Sequence, residues 1–316
     1  MYYIGIDVGG TNLKAGLVSE DGKILAVSRI PLNFTTPEAF AETLAQLAKQ
    51  VMEEGKVEKS QIACVGIGIP GAVEGGNILF TANIPMRNIP LAQLFRQHLD
   101  LPVALANDAD CAAAAEYLFG SGKGTRDFIT VTLGTGVGGG LILGGKLHTG
   151  KSCAGEVGHM VIQVDGESCG CGRHGCWESY ASATGLIRMA EKAAAEHPQS
   201  ALAKLPELNG QTIFTAADQG DETALAVTRQ YVKYLAAGIT NLVNILQPEV
   251  LAIGGGVAAA PEHLLLTPVQ QYVHDFCYGR HVGHYPRILR AQMGNDAGII
   301  GAALISRLQE DNKKTR

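Results

Sequence analysis

His159, Cys169, Cys171 and Cys176 place one imidazole and three thiols within eighteen residues. That donor set suits tetrahedral Zn²⁺, which takes thiolate sulfur and imidazole nitrogen. Four protein ligands leave no position for water, so such a metal would order the loop instead of activating a nucleophile. The same residues could form a disulfide pair or stay free thiols, although clustered thiols beside a histidine favour zinc. Two carboxylates bracket the cluster. Glu156 stands three residues before the histidine and Glu178 two after the last cysteine.

A second chemistry is written in glycine. Three glycine-rich turns follow apolar runs: Asp7-Val8-Gly9-Gly10-Thr11-Asn12-Leu13-Lys14, Leu133-Gly134-Thr135-Gly136-Val137-Gly138-Gly139-Gly140, and Gly254-Gly255-Gly256-Val257. Glycine lets backbone N–H groups approach an anion with no Cβ in the way, so an anion is the expected ligand class. Gly134, Gly136 and Gly139 also match the dinucleotide fingerprint. That fingerprint must open a helix, whereas Gly140-Leu141-Ile142-Leu143-Gly144-Gly145 continues as a strand and hairpin, which argues against a dehydrogenase. No Walker lysine is present either. Any one of these turns alone could be only a tight turn.

The elements that must carry these residues read as α/β. Strands are expected over residues 2–8, 14–19 and 24–30, with Asp21-Gly22 turning the second into the third. Thr36-Pro37 starts a helix through Met52 by pairing a cap with a pre-set φ. Residues 62–69 form a buried strand ending at Pro70-Gly71, followed by a long loop through Asn83 and Asn88 and a short helix over 91–99. A strand over 103–106 leads to Asn107-Asp108, which caps an alanine-rich helix to Phe119. Residues 128–133, 139–143 and 146–149 repeat the opening meander, so the chain reads as a weak internal duplication interrupted by the cysteine loop. Helices follow over 180–196, 222–246, after Pro261 and over 297–308, with a strand over 250–253.

At 316 residues the chain exceeds one hydrophobic core, and two lobes are expected. The division falls at 1–118, with the last helix (296–312) packing back on it, and at 119–295, which holds the cysteine loop 159–176. Hydrophobic residues at 46% and charged ones at 17% suit a compact enzyme and exclude disorder. A net charge of −5, with no basic block beyond Lys313-Lys314-Thr315-Arg316, gives no footprint for nucleic acid. No apolar run approaches the about 18 residues of a membrane span, and the first residues lack a basic leader, so cytoplasm is expected. Seven cysteines, four of them scattered outside the cluster, fit a reducing compartment.

In this order the two phosphate-type turns, the Ala106-Asn107-Asp108 triplet, the Glu156–His159 segment and the cysteine loop resemble the ROK family of sugar kinases and sugar-responsive repressors, over nearly the whole chain. Within that family the chain looks most like the bacterial glucokinases, which transfer the γ-phosphoryl of ATP to the 6-hydroxyl of glucose. The resemblance implies an actin/hexokinase-like (ribonuclease H-like) two-lobed ATPase fold with duplicated βββαβαβα units and ATP in the cleft. It implies that Gly9, Gly10, Thr11 and Gly134, Thr135, Gly136 clamp the phosphates, that Gly254, Gly255 and Gly256 border the adenosine, and that Asp7 holds Mg²⁺ through water. Lys14 would neutralise phosphate charge or simply face solvent. Asp108 would be the general base, a role that can coexist with helix capping. An aspartate of ordinary pKa (~3.9) suffices because phosphoryl transfer is mostly positioning and charge stabilisation. Gly71, Asn83, Asn107, Asp108, Glu156, His159 and Glu178 would bind the sugar, His159 also sharing the zinc.

The segment Ala82-Asn83-Ile84-Pro85-Met86-Arg87-Asn88 lacks the tryptophan that many glucokinases carry there, and Trp177 is the chain's one tryptophan. N-acetylmannosamine, N-acetylglucosamine, allose and fructose are therefore alternative acceptors. Repressor members need a DNA-binding segment ahead of the first strand, and here that strand is expected at Tyr2. A homodimer or larger homo-oligomer is expected from the resemblance.

Overall fold

The computed structural model describes residues 1–81 and 85–313. An antiparallel meander of β1 (Tyr2–Val8), β2 (Asn12–Ser19) and β3 (Ile24–Pro31) opens the chain. Helix α1 (Pro37–Glu54) is capped by Thr36, whose hydroxyl accepts from the Ala39 amide at 3.1 Å, and Pro37 fills the first position where no amide is needed. Its Phe40, Leu44, Leu47 and Val51 recur at helical spacing and are buried with Ile4, Ile6, Leu13 and Leu17 of the meander. Each such side chain stabilises the fold by ~1.5–3 kcal/mol.

Strand β4 (Ile62–Ile69) then runs parallel to β1. Where the sequence suggested a long loop, β5 (Gly71–Glu74), β6 (Asn77–Thr81) and β7 (Arg87–Ile89) form a small antiparallel sheet. Gly75 and Gly76, at φ +56° and +87°, make the two-residue hairpin between β5 and β6. Both central residues of such a turn need positive φ, and a Gly-Gly pair supplies it. Helix α2 (Leu91–His98), strand β8 (Val103–Asn107) and helix α3 (Asp108–Phe119) complete the first copy.

The second copy begins with β9 (Phe128–Leu133), β10 (Val137–Leu143) and β11 (Lys146–Leu147), the last shorter than expected. After the cysteine loop come α4 (Glu178–Ala181), α5 (Ala183–Glu196), α6 (Gly210–Asp218) and α7 (Glu222–Leu246). Strand β12 (Val250–Gly254), helix α8 (Leu266–Phe276), strand β13 (Arg287–Arg290) and helix α9 (Ala297–Lys313) close the chain. The helix expected over 180–196 is broken at Ser182, which is extended (φ −80°, ψ 168°) and whose hydroxyl caps α5 by accepting from the Gly185 amide at 3.0 Å. The helix expected directly after Pro261 starts only at Leu266. Neither α6 nor the four-residue β13 was anticipated, β13 being too short to show a period.

One five-stranded sheet has the order β3-β2-β1-β4-β8 and the other β11-β10-β9-β12-β13. With the inserted β5–β7 set aside, each is the third, second, first, fourth and fifth strand of its own copy. This is the actin/hexokinase-like plan with duplicated βββαβαβα units. Two compact units result: Met1–Arg126 with Gly140–Gly155 and Met293–Arg316, and Asp127–Gly139 with Glu156–Gln292.

In the first unit α9 lies directly on β1 and β4. Gly5 and Gly66 are register partners there, and a Cβ on them would fall 1.9 Å from the Ile299 carbonyl oxygen and 1.7 Å from that of Ala302. Removing two side chains lets the helix backbone sit on the sheet. That approach brings the start of α9 to the end of β1, where the first candidate residues stand.

Candidate active site

In the first unit the candidate residues gather at the carboxyl ends of three parallel strands, the edge where open α/β sheets bind ligands. Asp7 on β1 pairs with Gly68 on β4, and Ile69 on β4 with Asn107 on β8. Beyond β1 the chain turns through Gly9, Gly10 and Thr11, the Gly9 amide donating to the Asn12 carbonyl at 3.0 Å. Gly10 and Thr11 are exposed, and among the described residues their amides meet no acceptor within the chain. A Cβ on Gly10 would touch nothing within 4 Å, so the turn is open to an approaching anion.

Burial raises the Asp7 carboxyl above the ordinary carboxylate range, and Lys14, its register partner on β2, pulls it back. The Lys14 ammonium lies 3.2 Å from Asp296 Oδ1 and 3.5 Å from the Asn295 carbonyl. A Cβ on Gly298, the second residue of α9, would lie 2.9 Å from both Cγ and Oδ2 of Asp7. Glycine therefore allows the carboxyl to rest on the first turn of α9, where the helix dipole favours negative charge. Asp296 and Gly298 were not among the sequence candidates; Lys14 and Asp296 are 282 residues apart, beyond any local pattern. Gly298→Ala should displace the Asp7 carboxyl and lower kcat about tenfold. Steady-state kinetics beside a thermal melt would check this, since the melting temperature should stay near the parent's.

At the end of β8 the helix cap is Asn107 alone, whose Oδ1 accepts from the Ala109 amide at 2.8 Å. Its Nδ2 donates to the Gly71 carbonyl at 3.2 Å, so two sugar candidates touch. Asp108 is the first residue of α3 and exposed, its Oδ1 accepting from Ala109 at 2.9 Å. Asn83, with Ala82 and Ile84, lies outside the described residues.

The second unit repeats the turn. Gly134 donates to the Gly136 carbonyl at 3.0 Å, and among the described residues the Thr135 and Gly136 amides meet no acceptor within the chain. The turn's carbonyls are tied down, that of Gly134 by the Ala183 amide at 2.8 Å and that of Thr135 by the Thr184 hydroxyl at 2.8 Å. The Val137 amide donates to Glu178 Oε2 at 3.0 Å. Gly254 ends β12 in register with Thr132, and Gly255, at φ +85°, packs where a Cβ would fall 2.4 Å from the Leu133 carbonyl oxygen. The second and third glycine motifs are thus neighbours.

The thiol cluster fits zinc. One ligand atom from each of His159, Cys169, Cys171 and Cys176 lies within 4.8 Å of every other. Ligands ~2.3 Å from a tetrahedral centre stand ~3.8 Å apart. The Cys171 and Cys176 sulfurs are 3.6 Å apart, as are Cys169 Sγ and His159 Nδ1. The Arg173 amide holds the Cys171 thiol below its usual range, whereas burial pushes that of Cys176 up to about 12. A thiolate at Cys176 therefore needs a cation against it. Glu178, half-buried, has Oε1 3.8 Å from Cys169 Sγ, and Glu156 is exposed beside the short 3₁₀ turn Val157–His159.

The ROK family model matches residues 3–308. The chain belongs to the ROK family. This ROK chain is 38% identical over 314 residues to the glucokinase of Streptomyces coelicolor, covering 96% of it and 97% of the relative. It is 34% identical over 308 residues to an N-acetylmannosamine kinase of Escherichia coli, covering 97% and 98%. The crystal structure of a ROK glucokinase from Streptomyces griseus with glucose and AMPPNP superposes on the ROK chain with a TM-score of 0.81 at 36% identity, covering 97% and 99%. Among its described residues no helix is long and apolar enough to cross a membrane.

Proposed function

We propose that the chain is an ATP-dependent hexose kinase acting at the 6-hydroxyl, with glucose the first acceptor and N-acetylmannosamine, N-acetylglucosamine or another hexose the alternative. The observation that carries this is the repeated turn: Gly10-Thr11 and Thr135-Gly136 each present two adjacent amides with no acceptor among the described residues. Such paired amides bind phosphate oxygens. The glucokinase and N-acetylmannosamine kinase relatives, each matched over nearly their whole length, support the acceptor class.

In the reaction O6 of the sugar attacks the γ-phosphorus, the bond from that phosphorus to the bridging oxygen breaks, ADP leaves, and the hydroxyl proton passes to Asp108. Asn107, Gly71, Glu156, His159 and Glu178 orient the sugar hydroxyls, and a site built this way rejects analogues that leave a buried polar group unpaired. Gly254, Gly255 and Gly256 border the adenosine. Mg²⁺, when bound, would supply positive charge to offset that of the transferring phosphates. Asp7 suits that hard cation, because burial disfavours its negative charge and a cation restores it. Zn²⁺ at the thiol cluster would be structural, and seven cysteines with four scattered outside the cluster fit a reducing cytoplasm. A homodimer or larger assembly is part of the same reading.

A panel of hexoses and N-acetylhexosamines with MgATP, read by coupled ADP release, tests the proposal. Glucose should give the highest kcat/KM. A higher value with an N-acetylhexosamine would reassign the acceptor, and no ADP with any sugar would remove the kinase reading.

A further inference from the structure

Glu178 occupies an unusual place between two centres. Cys176, Trp177 and Glu178 are consecutive, and each is fixed to a different part of the second unit. Cys176 belongs to the thiol cluster and is fully buried. Trp177 is also fully buried, and its indole N–H donates to the Tyr234 carbonyl on α7 at 3.0 Å. Its ring fills the space left by Gly238, where a Cβ would fall 2.1 Å from it, and its own amide donates to the Met160 carbonyl at 2.7 Å. Glu178 then reaches the Val137 amide through Oε2, while Oε1 lies 3.8 Å from Cys169 Sγ.

The carboxylate also shapes the turn itself. A Cβ on Gly136 would fall 2.2 Å from Glu178 Oε2, so the glycine is there to admit it. On the other side of Val137, a Cβ on Gly158 would fall 2.2 Å from the Val137 carbonyl oxygen, so the segment beside His159 packs on the next peptide. The turn's remaining anchors, Ala183 and Thr184, stand at the start of α5, just after α4. Beyond the turn's own bond and its place between β9 and β10, the anchors on the Gly134–Val137 backbone, Glu178, Ala183 and Thr184, therefore issue from the chain just after the thiol cluster.

We propose that Glu178 is a positioning residue for this turn: by accepting from Val137 it sets the Thr135 and Gly136 amides for phosphate, and it transmits the order of the thiol cluster to nucleotide binding. This rests on the reading of the turn as a phosphate site. A hydrogen bond from a backbone amide to a carboxylate is among the stronger kinds, and its loss loosens the two amides beside it. The role is separate from any contact between Glu178 and sugar, because it operates with no sugar present.

The test is calorimetric binding of AMPPNP and of adenosine, in Mg²⁺ buffer without sugar, by wild type, Glu178→Gln, Glu178→Asp and metal-depleted wild type. The glutamine carbonyl still accepts from Val137 but without the charge, so the AMPPNP Kd of E178Q should lie between those of wild type and E178D. In E178D the carboxylate is withdrawn by one methylene, and the AMPPNP Kd should rise about tenfold with adenosine binding unchanged. Metal depletion should weaken AMPPNP similarly, and depleting E178D should add little, as expected for one coupled unit. If wild type bound AMPPNP no more tightly than adenosine, the phosphate reading would fail and take the proposal with it. If wild type showed that preference and E178D kept it in full, the proposal alone would be overturned; weakening in E178Q equal to that in E178D would overturn it too.

Discussion

Asp108→Asn is expected to lower kcat by about 10²–10⁴-fold while leaving the fold and the melting temperature close to those of the parent. The separation of the two effects follows from where the helix cap lies. The first turn of α3 takes its cap from Asn107, and that residue also ties β8 to Gly71. Asp108 contributes one acceptor to the same Ala109 amide, and the asparagine carbonyl replaces it. What asparagine cannot do is take a proton. Exposed at the carboxyl end of β8, the carboxylate is accessible to a sugar hydroxyl, and its loss leaves O6 protonated as the bond to phosphorus forms. Sugar binding should persist, so the glucose Kd measured calorimetrically should change by less than about threefold while kcat collapses. A variant that kept most of its turnover would end the assignment of Asp108 as base. One that lost turnover and melted many degrees lower would point instead to a structural role.

Much of this was legible because the informative residues are local. Asp7 through Thr11 sit within five positions, so a strand ending in a glycine turn can be read directly, and the same holds for Leu133 through Gly136. The duplication was visible for the same reason, since each copy opens with a meander of alternating and glycine-broken runs. The cysteine cluster needed only spacing. What escaped was decided by tertiary contact. Lys14 looked like a phosphate or solvent residue, yet Asp296 holds it from the far end of the chain. Gly298 and Gly301 read as ordinary glycines of the last helix, although one admits the Asp7 carboxyl and the other meets the backbone of Cys111 on α3. The small sheet of β5, β6 and β7 reads as loop in the sequence because its strands are short, although Gly75-Gly76 carries a hairpin signal. Ser182 broke a helix that periodicity alone would have run through, because its hydroxyl competes for the Gly185 amide.

Stripping the metal should raise the KM for sugar by about 10–100-fold before the chain unfolds. His159 offers Nδ1 on the side of Cys169, which leaves Nε2 for a sugar hydroxyl. With zinc on one nitrogen the other must carry the proton, so the metal fixes both the ring's orientation and its donor. Without it the imidazole can rotate and change tautomer, and the short turn Val157–His159 loses its tether. The unit around it should survive at first, because Trp177 is buried independently against α7 and Tyr180 holds the Glu167 amide at 2.6 Å. Partial chelation at moderate temperature, with zinc content followed by atomic absorption, should therefore show KM rising in step with metal loss while far-ultraviolet circular dichroism stays constant. The melting temperature should fall in the same samples, since a bound metal stabilises the folded state by mass action. An unchanged sugar KM in fully metal-free, folded protein would detach the cluster from the sugar site, and a KM that rose only as the helical signal disappeared would make zinc a requirement for folding alone.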